Sequence, residues 1–281
     1  MMTSYAFKRR LSRNFINFCL AVFVCACLGP VIWAVVTSFL PLSALTSIPL
    51  DLNPLNATLE NYIKVFDTSR GLISGLINSF IISLFTSAIA LTLGAMAAYA
   101  LARLKMPGST LILMIILATQ MFPAIVIAIP LFLALSRIDM IDKHISLIIV
   151  YLSFILPIVI WILKGFFESV PQELERAAAV DGASPLQVFR FVILPISLPP
   201  LFATGVFAFI ESWNEFFFAI ILTRIHVKTV PIAIAEFSGQ YQTLYGQMLA
   251  SAVLASLPVV FLAIVFRRFI LEGFVEGAVK A

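Results

Sequence analysis

Long stretches without a single Asp, Glu, Lys or Arg constrain this chain more than any other feature of its sequence. Six of them occur, at 14–50, 71–102, 106–136, 145–163, 191–210 and 238–266. Most exceed the roughly 20 apolar residues that cross the hydrocarbon core of a bilayer. Because lipid offers no hydrogen-bond partner to the backbone, uninterrupted apolar runs of this length predict transmembrane helices.

The predicted fold class is therefore all-α, a polytopic membrane protein with six transmembrane helices. Of the 281 residues, 62% are hydrophobic and 11% charged, against about half and a quarter in soluble domains. The longest segment outside the spans is 41–71, so residues 1–281 are expected to form a single transmembrane domain. The spans are expected near 15–40, 72–102, 111–135, 145–163, 196–222 and 249–266.

The distribution of basic residues predicts the orientation in the cell membrane. Twelve of the 18 Lys and Arg residues fall in one set of loops and termini, and six fall in the other. Since basic loops stay in the cytoplasm, both termini are predicted to be cytoplasmic. This bias also explains the net charge of +4 without a nucleic-acid partner. The three cysteines fall within the first span, which argues against a disulfide framework.

A charged interruption at 164–195 separates the fourth and fifth predicted spans and reads KGFFESVPQELERAAAVDGASPLQVFRFVILP. It predicts two short helices. A capping box of Ser169 and Gln172 is expected to start the first, and Gly182 to end it. Ser184, with proline next and Gln187 three positions on, is expected to cap the second.

The first of these helices presents the small residues Ala177, Ala178 and Ala179. A short helix exposed to water is poorly stabilised on its own. Its acidic character and lack of large apolar residues do not suit a position on lipid headgroups. The pattern therefore favours a helix that fits a groove on another protein.

The same residues carry a family resemblance. Ala177, Ala178, Asp181 and Gly182, followed by LP at 194–195, resemble the EAA loop of permease subunits in binding-protein-dependent ABC importers. AYALAR ending at Arg103, PLF at 130–132, WNEF at 213–216 and GAVK at 277–280 resemble the MalG-like (maltose-type) carbohydrate permeases. The chain departs from the family at Arg176, where the family has glutamate, and mildly at Val192, where isoleucine is usual.

The resemblance implies a type I ABC importer permease fold that forms half of a sugar pathway. The loop would dock on a cytoplasmic ATPase, with the candidate coupling residues Glu173, Glu175, Arg176, Ala177, Ala178, Asp181 and Gly182. The sequence has no G-x-x-x-x-G-K-[ST] phosphate cradle. The chain is thus expected not to be an enzyme and to hold no cofactor or metal. ATP and Mg²⁺ are expected on two partner ATPase subunits, beside a second permease subunit and an extracellular or periplasmic solute-binding protein.

Polar residues within the fifth predicted span suggest a substrate path. Glu211 and Glu215 stand at i and i+4 and would share one face of a helix, with Trp213 and Asn214 beside them. Ionisable groups inside a membrane usually face a cavity or pathway, and Gln120 of the third span is expected to join it. The alternative is that these residues bond neighbouring helices or the partner permease. No Lys or Arg lies deep in a span, which favours a neutral substrate.

An external loop at 239–247 combines glycine, tyrosine and glutamine. Gly239, Gln240, Tyr241 and Tyr245 are the candidate contacts to the solute-binding protein. An interfacial aromatic belt explains the tyrosines equally well.

Two other functions stay open: a permease for another neutral solute, and a secondary transporter with Glu211 and Glu215 as an ion relay. An intramembrane enzyme is not supported, because neither H-E-x-x-H nor G-x-S-x-G occurs.

Overall fold

The computed structural model of this chain is helical throughout the part that it describes. It describes residues 2–67, 71–104, 106–239 and 243–271, with side chains from residue 13 onwards. Within these ranges the only extended pairing is an isolated bridge between Ser238 and Thr243. The predicted all-α fold class is confirmed.

Short loops and turns separate the helices. In chain order the described α-helices are α1 (Met2–Ser38), α2 (Leu42–Leu45), α3 (Glu60–Asp67), α4 (Leu72–Arg103), α5 (Ser109–Ala118), α6 (Ala124–Arg137), α7 (His144–Ser169), α8 (Gln172–Val180), α9 (Pro185–Val188), α10 (Leu194–Ile196), α11 (Leu198–Asn214), α12 (Phe217–Leu222), α13 (Val230–Ala235) and α14 (Tyr245–Val265). Two 3₁₀ turns (Pro54–Asn56 and Thr119–Met121) and a π-helical turn (Phe189–Ile193) complete the set.

Four described helices are long and apolar enough to cross a membrane, namely α1, α4, α7 and α14. The number rises to six if each of two bent helix pairs is one span. One pair is Ser109–Met121 with Ala124–Arg137, bent by 90°, and the other is Pro185–Ile196 with Leu198–Asn214, bent by 80°. The predicted third span is therefore not a straight helix, and the 80° bend lies between Ile196 and Leu198, at the start of the predicted fifth span.

The break in the third predicted span lies at Pro123. Phe122 is extended, with φ −74° and ψ 125°. A residue that precedes proline is pushed out of the helical region by contact with the proline ring. Residues 111–135 thus form two helices rather than the continuous one expected from the sequence.

The contacts divide the chain into two compact units. One unit comprises Met1–Arg70 with Ile234–Leu254. Within it, the Asn61 amide donates to the carbonyl oxygens of Ser38 and Leu40, at 2.9 and 2.8 Å. A Cβ on Gly246 would lie 2.5 Å from the Asn61 amide nitrogen. Only glycine fits there, so the start of α14 lies directly against the Asn61 side chain.

The second unit comprises Gly71–Ala233 with Ala255–Ala281. Its α4, α7 and α11 approach one another at small residues. A Cβ on Gly94 of α4 would lie 2.6 Å from Val159, and one on Gly205 of α11 would lie 2.7 Å from Leu91. Small residues at helix interfaces of membrane proteins allow such close backbone approach. The sequence-based expectation of a single domain stays a prediction.

A carboxylate ties two loops of this second unit together. Asp142, which precedes α7, accepts backbone hydrogen bonds at 3.0 to 3.2 Å from four successive residues, 224–227. Partial burial raises the pKa of the Asp142 carboxyl, but these four bonds lower it by more. Its pKa therefore lies below the ordinary value of 3.8.

Replacing this carboxylate should destabilise the unit. Asp142→Asn leaves one carbonyl oxygen to accept the bonds that two carboxylate oxygens share. Hydrogen bonds to charged groups contribute about 1.5–3 kcal/mol, so we expect a loss of about that size. Asp139→Asn is the matched control, because both aspartates adopt positive φ and asparagine tolerates that conformation. Thermal unfolding of the purified protein in detergent compares the two variants.

The pH dependence of this difference follows from the direction of the pKa shift. A lowered folded-state pKa contributes stability above the ordinary pKa, and that stability is lost as pH falls through the folded-state pKa. The difference in Tm between wild type and Asp142→Asn should hold at neutral pH and shrink only below pH 3.8. Shrinkage between about pH 5 and 7 would contradict this assignment.

Candidate functional site

The 164–195 loop folds into the two short helices expected, α8 and α9, but α8 starts differently. Ser169 belongs to the last turn of α7, where its hydroxyl donates to the Phe166 carbonyl. Pro171 precedes α8, which has no side-chain cap. The predicted Ser169–Gln172 capping box is therefore wrong, since the proline separates the serine from the helix start.

The end of α8 and the start of α9 agree with the sequence. Gly182 has φ +84°, and the Gly182 and Ala183 N–H groups donate to the Ala179 and Ala178 carbonyls. These two bonds make a Schellman motif, which needs a left-handed residue at the Gly182 position. Ser184 and Gln187 form the predicted capping box of α9.

One face of α8 is exposed and carries most of the candidate coupling residues. Glu173, Arg176, Ala177, Asp181 and Gly182 are all exposed. The Arg176 guanidinium donates to the Gln172 side-chain oxygen at 3.2 Å, so it lies along the helix surface. Val180, 87% exposed, adds apolar area to this face. Ala178 is half-buried and packs against the core.

Glu175 points the other way, into the protein. Its carboxylate lies 2.6 Å from the guanidinium of Arg103, and the two side chains are only 18% and 6% exposed. The Tyr99 hydroxyl donates to the same carboxylate at 3.2 Å. Arg103 also donates to the Val170 carbonyl, just before α8. Glu175 is therefore paired within the chain rather than open to a partner, and its role in coupling stays a prediction.

Arg103 and Tyr99 were missed as functional residues by the sequence reasoning. The available signal was the AYALAR run, which places a tyrosine and an arginine four positions apart at the end of α4. Residues four apart share a helix face. Nothing local in the sequence indicated that Glu175 would be their partner.

The predicted substrate-path residues divide between the surface and the core. Glu211 and Asn214 are exposed at i and i+3 on α11. Trp213 is 3% exposed and stacks on Phe209 with ring centroids 5.6 Å apart. Its ring therefore offers no open face to a ligand, which corrects its place in the predicted path.

Glu215 does not share a helix with Glu211. α11 ends at Asn214, and Glu215 is extended. Its two carboxylate oxygens accept the backbone N–H groups of Phe218 and Ala219, at 2.8 and 3.1 Å. The prediction that both glutamates share one helical face is wrong, because Glu215 caps the next helix, α12.

Gln120 lies in the 3₁₀ turn between α5 and α6. Its side-chain amide donates to the Phe154 carbonyl of α7 at 3.1 Å. This bond fixes the bend of the α5–α6 pair against α7. A role of Gln120 in a substrate path stays a prediction.

The external loop candidates are only partly described. Gly239 follows the bridge residue Ser238, and Tyr245 is the half-exposed first residue of α14. Gln240 and Tyr241 lie outside the described residues. Contact of this loop with a solute-binding protein stays a prediction.

Comparison with known protein families assigns the chain to one of them. Residues 90–272 match the family described as "Binding-protein-dependent transport system inner membrane component". The chain belongs to this family. As a member of the transport system family, it is a multi-pass membrane permease subunit, which confirms the resemblance drawn from the 164–195 loop.

Individual members of the family cover nearly the whole chain. The trehalose transport system permease protein SugB of Mycobacterium tuberculosis is 40% identical over 89% of this chain and 92% of its own length. The trehalose/maltose transport system permease protein MalG of Thermococcus litoralis is 35% identical over 90% and 92%. A crystal structure of a bacterial ABC transporter involved in the import of the acidic polysaccharide alginate matches with a TM-score of 0.76. That match is 22% identical and covers 92% of this chain and 96% of the other, so the ABC importer permease fold is shared.

The two glutamates of this region should differ in their effect on stability. Glu215→Ala removes the acceptor of two helix N–H groups, and lost caps cost about 0.5–2 kcal/mol. We expect a loss in that range. Glu211→Ala should change stability little, since the Glu211 side chain is exposed. Thermal unfolding in detergent measures both, and equal losses would argue against the capping role.

Proposed function

We propose that this chain forms one half of the transmembrane sugar pathway of an ATP-driven importer. It would assemble with a second permease subunit, two ATPase subunits and an extracellular or periplasmic solute-binding protein, with both termini in the cytoplasm. ATP and Mg²⁺ would bind the ATPase subunits. The exposed face of α8 is the observation that carries this proposal.

The geometry of α8 supports a protein partner. A helix of nine residues gains little stability by itself. It nevertheless exposes the apolar side chain of Val180, and Leu186 of α9 is 67% exposed nearby in the sequence. The exposed residues that follow them in the sequence, Asp181 and Gln187, are polar, and the rims of protein interfaces are polar as well. The ion pair of Glu175 with Arg103 fixes the orientation of α8, so its opposite face stays exposed to solvent and accessible to a partner.

Two observations support a sugar as the substrate class: the names of similar proteins and the polar side chains exposed on α11. Two relatives at 35–40% identity carry trehalose and maltose in their names, and both compounds are neutral disaccharides rich in hydroxyl groups. Glu211 and Asn214 present a carboxylate and an amide on one exposed edge of α11. Such groups bond hydroxyls, and α11 contains no Lys or Arg that would suit an anion. An exposed carboxylate in an apolar helix favours a polar pathway over lipid.

Reconstitution tests the whole proposal. The chain would be purified from native membranes with its partners, which mass spectrometry identifies, and placed in liposomes with the solute-binding protein. We expect uptake of radiolabelled trehalose or maltose to require ATP and to continue without a proton gradient. Uptake that follows a proton gradient and ignores ATP would support the secondary transporter instead.

The polar edge of α11 should contribute to transport. In the reconstituted complex, Glu211→Ala combined with Asn214→Ala removes two hydrogen-bonding groups, and we expect uptake at limiting sugar to fall about tenfold or more, since each lost bond costs about 1 kcal/mol. Glu60→Ala is the matched control, because Glu60 is an exposed carboxylate paired with Lys64 outside α11. Unchanged uptake in the double variant would remove support for this path.

Gly182 should be needed for coupling between ATP hydrolysis and uptake. Gly182→Val forces a β-branched residue to φ +84° at the end of α8, which costs about 1–3 kcal/mol of backbone strain and disturbs the exposed face. We expect ATP hydrolysis to continue while sugar uptake falls. Gly108→Val is the matched control, since Gly108 has φ +81° with similarly open space outside the 164–195 loop. Equal uptake per ATP in both variants would contradict a role in coupling.

A further inference from the structure

The last turn of α4 holds α8 through a nearly buried ion pair. Arg103 contacts Glu175 at 2.6 Å and also binds the Val170 carbonyl. Tyr99, one turn earlier on α4, donates to the other carboxylate oxygen of Glu175. An ion pair and two hydrogen bonds thus join the end of α4 to Glu175 of α8 and to Val170, two residues before α8.

The Tyr99 ring also packs against two phenylalanines, one on each side of α8 in the sequence. The Tyr99 ring lies 4.8 Å from the ring of Phe189 and 6.0 Å from that of Phe167, measured between centroids. Phe189 follows α9, and Phe167 lies in the last turn of α7. Both ends of the segment that contains α8 are therefore packed on Tyr99.

α4 in turn is closely packed within the membrane part of its unit. Gly94 of α4 lies against Val159 of α7, and Leu91 of α4 lies against Gly205 of α11. Close-packed interiors are stiff and transmit displacement. A displacement of α8 would therefore be transmitted to α4 and, through it, to the helix that carries Glu211.

A buried ion pair resists separation because an unpaired charge left in the interior is costly. The Lys164–Glu168 ion pair differs from the Arg103–Glu175 pair in location and exposure. That pair joins positions i and i+4 of α7, and its glutamate is half exposed. It links no two elements, whereas the Arg103–Glu175 pair is the ionic link between α4 and α8.

We propose that Arg103 is a positioning residue that transmits the movement of α8 to α4 through its ion pair with Glu175. This inference rests on the proposed function, because α8 moves only if an ATPase docks on its outward face. The Tyr99 hydroxyl orients the carboxylate towards Arg103. The exposed face of α8 receives the movement, and the inward face passes it to the transmembrane helices.

The test uses the complete complex that copurifies with this chain, reconstituted in liposomes with its solute-binding protein and labelled trehalose or maltose. Glu175→Gln and Arg103→Gln each break the pair. The double variant Arg103→Glu with Glu175→Arg restores opposite charges in swapped positions. Lys164→Gln is the matched control, since it breaks an ion pair within one helix.

We expect each single variant to import about tenfold less sugar per ATP hydrolysed, in the range typical of coupling between distant sites. The ATPase subunits should still copurify, because the outward face of α8 is unchanged. The swapped double variant should recover much of the loss, and Lys164→Gln should match the wild type.

Three results would overturn the proposal. Single variants with the wild-type ratio of sugar to ATP would show that the pair transmits nothing. A swapped variant as defective as the single ones would exclude the ionic contact as the cause. Loss of the ATPase subunits from the single variants would show that the pair is needed to dock the ATPase rather than to transmit movement.

The wild-type complex separates this inference from the proposed function. Absence of ATP-driven sugar uptake in the wild type contradicts the proposed function itself. ATP-driven uptake in the wild type, together with unaffected single variants, contradicts only the role of Arg103.

Discussion

The lack of hydrogen-bond partners in the hydrocarbon core makes a break in an apolar helix costly, because the break leaves backbone N–H and C=O groups without partners. At the bend between α5 and α6, proline removes one N–H group and Gln120 bonds a carbonyl of α7. Between α11 and α12, the Glu215 carboxylate accepts the two N–H groups that the new helix start leaves without partners. In both places a polar side chain bonds backbone groups, so Gln120 and Glu215 help to support the fold of the predicted spans.

α4 is held by polar side chains near both of its ends. Near its start, the Asn78 amide donates to the carbonyls of His226 and Lys228, while its oxygen contacts His144. At its end, Arg103 binds Glu175 and the Val170 carbonyl. Between them, Ser83 and Thr86 are fully buried, which suits helix packing rather than an open cavity. These bonds tie α4 to the loops near both of its ends.

Local chemistry explains what the sequence could predict. Uncharged runs indicated the spans, because burial in lipid excludes charge along the whole length of a helix. The Ser184 capping box and the Gly182 stop were also predictable, since their hydrogen bonds reach only three to five positions along the chain. Ser169 shows the limit of such patterns: it has the same spacing to a glutamine, but Pro171 separates it from α8 and leaves it in α7.

The remaining features depend on contacts between distant residues. An i, i+4 spacing places Glu211 and Glu215 together only if the helix continues, and it ends at Asn214. The burial of Trp213 follows from its packing on Phe209, and the partner of Arg103 lies on another helix. In each case the local sequence did not determine the neighbour of the side chain, which follows from how the helices end and pack.

Positions 175 and 176 of α8 illustrate how one helix separates an inward side chain from an outward one. Successive residues of an α-helix point about 100° apart, so Glu175 faces Arg103 while Arg176 faces outward. Arg176, which stands where the resemblance implies glutamate, therefore leaves the internal ion pair intact. If an ATPase docks on the exposed face of α8, as proposed above, it meets a positive charge at this position, and like charges across an interface are unfavourable. We therefore propose a neutral or acidic groove opposite Arg176.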